Sequence, residues 1–122
     1  KYFFTNVKRH GALLAKGRML GIQFDTLFTD QLYFKVSRHA ITMATRIRSI
    51  FQKHGIAIAY DSPTNQQFVI LSPTLYDALS KKVAFEIWER KSDTEIICRF
   101  VTSWATKEEE LDELDHILQT LK

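Results

Sequence analysis

Cysteine is nearly absent from this chain: Cys98 is the only one in 122 residues. A lone cysteine rules out an internal disulfide and fits a reducing compartment, so the expected location is cytoplasmic. No apolar run reaches the ~18 residues that a membrane-spanning helix needs, and no secretory signal stands at the N-terminus. His10, His39, His54 and His116 have no metal-ligand spacing with one another or with Cys98, which argues against a zinc site. No Gly-rich phosphate loop of the usual kinds appears, and residue order alone argues no Ser-His-Asp triad. The excess of one charge sign is slight, 17 Lys and Arg against 14 Asp and Glu. A nucleic-acid binder clusters its cations more strongly, so neither nucleic acid nor a membrane is the expected partner. Repeats, low-complexity tracts and linkers are also missing. The sequence has no initiator methionine, and Lys1-Tyr2-Phe3-Phe4 is too apolar for a natural free end. A portion of a longer protein is therefore expected.

What remains is ordinary for a globular domain, with 45% apolar and 25% charged residues, and long enough for one modest core. The stretch from Lys8 to Phe24 stands out. It reads as a helix, yet it holds Gly11, Gly17 and Gly21 beside Lys8, Arg9, His10, Lys16 and Arg18. Each interior glycine costs a helix roughly 1 kcal/mol relative to alanine. Such a surface suits close approach by another backbone or an anionic group. Apolar residues from Phe3 to Phe28 recur on more than one face, as in a helix that is buried or packs on other subunits. Thr29-Asp30 offers an N-cap for a second helix over about 31–54, with Leu32, Val36, Ala40, Met43, Ala44, Ile47 and Ile50 on one stripe and Gly55 as its stop.

Residues 56–60 alternate large and small and read as a strand, and Asp61 to Asn65 as a turn. Residues 67–71 make a second strand. Ser72 and Pro73 open a short helix as N-cap and first residue, ending near Lys82. Residues 83–89 and 94–101 are a third and a fourth strand, able to form a hairpin across a polar turn. Thr106 with Glu109 has the form of a capping box before a last helix that buries Leu111, Leu114, Ile117, Leu118 and Leu121. The order is ααββαββα. The fold class is α+β: a small antiparallel sheet of about four strands covered by helices and preceded by a long helix.

Arg99 is the sharpest candidate for chemistry. It lies in Ile96-Ile97-Cys98-Arg99-Phe100-Val101 and shares a strand face with Ile97 and Val101. Burying a guanidinium without an acceptor costs several kcal/mol, so an acceptor must exist. It is either Glu86 or Glu95, pairing with an arginine on an edge strand, or the carboxylate of a substrate held by the arginine fork. Thr102 to Thr106 follows, as the lining of a site or as a helix start anchored by Trp104. His39 reads as a solvated helix residue.

Three segments together resemble the C-terminal part of the threonine aldolase family, the β-eliminating lyases that use pyridoxal phosphate on an aspartate aminotransferase-like fold. They are Lys8 to Arg18, Asp61-Ser62-Pro63-Thr64-Asn65-Gln66, and Arg99-Phe100-Val101-Thr102-Ser103-Trp104-Ala105-Thr106. The low-specificity bacterial branch is the nearest in pattern. The resemblance implies that residues 1–29 are a long helix leading from a large domain and 30–122 the C-terminal small domain. It makes Arg99 the substrate-binding residue for the α-carboxylate. It places Arg9 at the cofactor phosphate, that of a neighbouring subunit. The Schiff-base lysine lies upstream in the family, so this portion alone is expected to be inactive, with no catalytic or metal residue of its own. The chain departs from the commoner family pattern in having His10 after Arg9, where glutamine is usual, and Ser103, where histidine is usual. The implied whole is an aldehyde-lyase that cleaves β-hydroxy amino acids to glycine and an aldehyde, as a homo-oligomer (dimer or tetramer). The alternative from the residues alone is a non-catalytic interaction domain that oligomerises through its first helix.

Overall fold

The apolar residues that crowd the N-terminal segment bury nothing there. The computed structural model describes residues 1–14 and 16–121, in two units, Lys1–Phe34 and Lys35–Lys122. The first unit holds helix α1 (Phe3–Arg9), helix α2 (Arg18–Phe28) and a 3-10 turn at Thr29–Gln31. The sequence predicts one continuous helix for this segment; two form instead. Gly11 and Gly17 take φ of +66° and +64°, a left-handed backbone that ends α1 and precedes α2. The glycines thus turn the chain; within the chain itself a Cβ on either would meet nothing within 4 Å. Thr29 and Asp30 do not cap the next helix. The Thr29 hydroxyl donates to the Asp25 carbonyl at 2.7 Å and so closes α2.

Helix α3 (Leu32–Lys53) follows the 3.6-residue period and buries Ala40, Met43, Ala44, Ile47, Ile50 and Phe51. Gly55, at φ +76°, stops it as expected. After it come strand β1 (Gln66–Leu71), helix α4 (Pro73–Leu79), strand β2 (Glu86–Arg90), strand β3 (Ile96–Val101) and helix α5 (Glu108–Thr120). The sheet order is β1-β3-β2, antiparallel throughout. It has three strands rather than four. Residues 56–60 add a single bridge, Ile58 to Val69, flanked by hydrogen bonds from Ala59 N to Phe68 O and from Ile70 N to Ala57 O. Ala57 and Ala59 offer too little side chain to hold a longer ladder.

Helices α3, α4 and α5 contribute to a core on one face of the sheet. Val69 and Leu71 of β1 and Ile96, Cys98 and Phe100 of β3 pack against Met43, Ile47, Ile50 and Phe51 of α3 and Leu111, Leu114, Ile117 and Leu118 of α5. The Phe51 and Phe100 rings lie 4.8 Å apart, and Phe85 stacks on Phe100 at 4.7 Å. Ser72 caps α4 by accepting from the Leu75 amide at 3.2 Å, with Pro73 at the first position. The cap of α5 falls one residue later than expected: the Lys107 amide donates to Glu110. The Thr106 hydroxyl faces the preceding loop instead and accepts from the Ser103 amide.

Polar side chains also tie α3 to α5. His39 is half-buried rather than solvated, its Nε2 bonded to the Thr106 carbonyl at 2.8 Å. Asp115 accepts from both Lys53 and His54 at 2.6 Å. The Lys53 hydrogen bond first, then that of His54, holds the Asp115 carboxyl below its ordinary value of 3.8. A lowered folded value means that the unfolded chain takes the proton first on acidification. The stabilisation is full above the ordinary value and disappears as pH falls through the folded one. Denaturation midpoints followed from about pH 6 to pH 2 should therefore fall less in Asp115→Asn than in the unaltered chain; equal slopes would remove Asp115 from this role.

Candidate functional site

Strand alternation sends Ile96, Cys98 and Phe100 into the core and leaves Arg99 on the opposite face of the sheet, which it shares with the buried Ile97. The register sets Arg99 between Phe68 of β1 and Glu86 of β2. Arg99 is therefore on the central strand, not at an edge. Its Nη2 donates to Glu86 Oε2, its Nη1 to Gln66 Oε1 at 3.3 Å, and its Nε is buried with no partner among the described residues. The guanidinium carbon stands 5.2 Å from the Trp88 ring centroid. Trp88 sits where a bulge interrupts the β2–β3 register between Ile87 and Glu89, a device that re-aims a side chain. Phe68 meets Trp88 edge to face at 5.2 Å and Tyr60 at 5.5 Å. The Tyr60 hydroxyl donates to Glu89 at 3.3 Å. Partial desolvation, then Glu89, raises the Tyr60 pKa above 10.0, so its phenol is no base at neutral pH.

The result is a shelf of Tyr60, Phe68 and Trp88 with one arginine fork in it. A planar guanidinium braced on an aromatic face is suited to two-point binding of a carboxylate. Of the two acceptors that the sequence offers, Glu86 pairs with Arg99, while Glu95 pairs with Lys91 at 2.8 Å. Strand alternation alone puts Glu86 and Trp88 on one strand face; only the bulge and the cross-strand register show that this face meets Arg99.

The second and third motif segments come together. The Thr102 amide donates to the Asn65 carbonyl at 3.0 Å, and Asn65 Nδ2 donates to the Thr102 carbonyl at 2.7 Å. Thr102 is buried, and its hydroxyl donates to the Ala40 carbonyl at 2.7 Å. The loop from Asp61 to Gln66 is thereby fastened to the end of β3. Trp104, expected as a helix anchor, is instead 73% exposed. Ser103 is exposed, its hydroxyl accepting from the Ala105 amide. Cys98 is no nucleophile: burial pushes its thiol up to about 11.

Arg9 belongs to the other unit, in the last turn of α1 and exposed. The sequence from Lys1 to Phe24 contains no acidic residue, against the cations Lys1, Lys8, Arg9, Lys16 and Arg18. Among the described residues no carboxylate pairs with Arg9, and no group of three or more His, Cys, Asp or Glu is placed to hold a metal ion. No helix of the described residues is long and apolar enough to cross a membrane.

No protein-family model matches the chain, and no curated protein does. Among solved structures it is similar to Leishmania major threonine aldolase, at 37% sequence identity and a TM-score of 0.86 over 94% of its own length. The match spans 34% of that protein, so this chain corresponds to about a third of it. With that backbone agreement and that identity together, the chain is threonine aldolase-like over nearly its whole length.

Proposed function

We propose that this chain is the C-terminal small-domain portion, with its leading segment 1–29, of a pyridoxal-phosphate-dependent aldehyde-lyase that cleaves β-hydroxy amino acids to glycine and an aldehyde. The single supporting observation within the chain is the Arg99 fork braced over Trp88 on the sheet face opposite the core. In this reading Nη1 and Nη2 of Arg99 take the two oxygens of the substrate α-carboxylate. Fixing that end orients the Cα–Cβ bond, which is a positioning contribution. The sequence around Arg9 is cationic and free of acidic residues, which suits a phosphate dianion, and Arg9 is the residue assigned to the cofactor phosphate of a neighbouring subunit. When bound, the cofactor supplies an electron sink for the bond cleavage. The assembly is a homo-oligomer, and the buried free thiol of Cys98 accords with the cytoplasm.

The complete protein, given pyridoxal phosphate and L-threonine, should release acetaldehyde, and the isolated chain should not. Turnover by the isolated chain would overturn the assignment of the lysine to another segment. A complete protein with neither cofactor absorbance nor aldehyde release would overturn the lyase reading. It would leave a non-catalytic domain that associates through its N-terminal unit, a reading favoured by the exposure of Phe3, Phe4, Met19, Phe24 and Phe28.

A further inference from the structure

Arg99 already holds a carboxylate. Its side chain is only 27% exposed, and the buried Nε has no acceptor among the described residues. A guanidinium so placed needs a counter-charge whenever no ligand is bound, and Glu86 provides it from the directly opposed position on β2. The two partners differ in how firmly they are held. Arg99 is on the central strand and braced by Trp88. Glu86 is on an outer strand, with its side chain 67% exposed. The Gln66 contact on Nη1 is neutral and long, at 3.3 Å.

We infer that Glu86 stands in for the substrate α-carboxylate on Arg99, so that amino-acid binding is an exchange of one carboxylate for another. This rests on the reading of Arg99 as the carboxylate-binding residue. The released Glu86 turns into water at little cost, because its own side chain is 67% exposed and regains hydration, while the incoming carboxylate takes over the charge on Arg99. The Arg99–Trp88 stack stays in place through the exchange, so the fork presented to the ligand is preformed. A neutral ligand cannot replace the counter-charge and is rejected for that reason. Glu86 is a positioning residue here, since it acts on the ligand through Arg99.

The test uses the complete holoenzyme and three readouts: the calorimetric Kd for glycine, and KM and kcat for L-threonine. Glu86→Gln keeps shape and removes the competing charge. Kd and KM should both fall roughly two- to fivefold with kcat unchanged, the range set by a partly exposed ion pair. Unchanged or weaker binding, with only the melting temperature lowered, would make the Glu86–Arg99 pair purely structural and overturn the inference. Arg99→Lys separates the two levels. If it leaves Kd and KM as they were, the carboxylate-binding reading itself fails. If it weakens binding while Glu86→Gln does not tighten it, only the exchange fails.

Discussion

Arg99→Lys in the complete lyase should lose about 2–5 kcal/mol in kcat/KM, as expected when one partner of a desolvated charge pair is degraded. Lysine keeps the charge but offers a point donor in place of a planar fork. It also gives up the guanidinium stacking over Trp88, now at 5.2 Å. The amino acid would then be held by one carboxylate oxygen and free to swing, so the bond to be broken is no longer fixed in orientation. Cofactor absorbance and folding should survive, because Arg99 lies on the sheet face opposite the α3–α5 core and is not part of that core. Near-normal kcat/KM would reduce Arg99 to the partner of Glu86.

Phe51→Ala should cost about 3–5 kcal/mol of folding stability, the range for deleting a fully buried aromatic. Phe51 is 0% exposed and touches Phe100, which in turn stacks on Phe85. Its ring joins α3 to the central strand and, through Phe85, to the segment before β2. Neighbouring side chains are themselves ring edges and branched aliphatics, which do not collapse readily into the space. Against a typical stability of about 5–15 kcal/mol for a domain, such a loss is large. Urea denaturation of the chain measures it. A cost below about 1 kcal/mol would show that this aromatic group does not organise the core. The same substitution should disturb the Arg99 shelf, because Phe100 and Arg99 are adjacent residues held on opposite faces of β3.

Much of the fold is legible in the residues themselves. The long amphipathic stripe and Gly55 put α3 within a residue of its observed ends, Leu32–Lys53. Ser72-Pro73 marks the start of α4, and the strand period puts Ile96, Cys98 and Phe100 on one face of β3 and Arg99 on the other, although Ile97, on the face of Arg99, is also buried. These signals are local: each depends on side-chain period or on a cap within a few residues. Less is legible where two local signals compete. Residues 1–29 have helical period and glycines, and the glycines prevail at Gly11 and Gly17, where the backbone is left-handed. In residues 56–60 the alternation is right, but Ala57 and Ala59 are too small to extend the ladder.

The sequence by itself determined the α+β class, the buried stripes of α3 and α5, and the isolation of one arginine in an apolar strand, because periodicity and burial cost act residue by residue. Only the tertiary structure decided that β3 is central, that β2 carries a bulge at Trp88, and that Glu86, Gln66 and Trp88 converge on Arg99. The physical reason is that register is a long-range choice. Strands far apart in sequence align where both faces of the sheet are satisfied together, and a shift of one residue would send Arg99 into the core and Phe100 out of it.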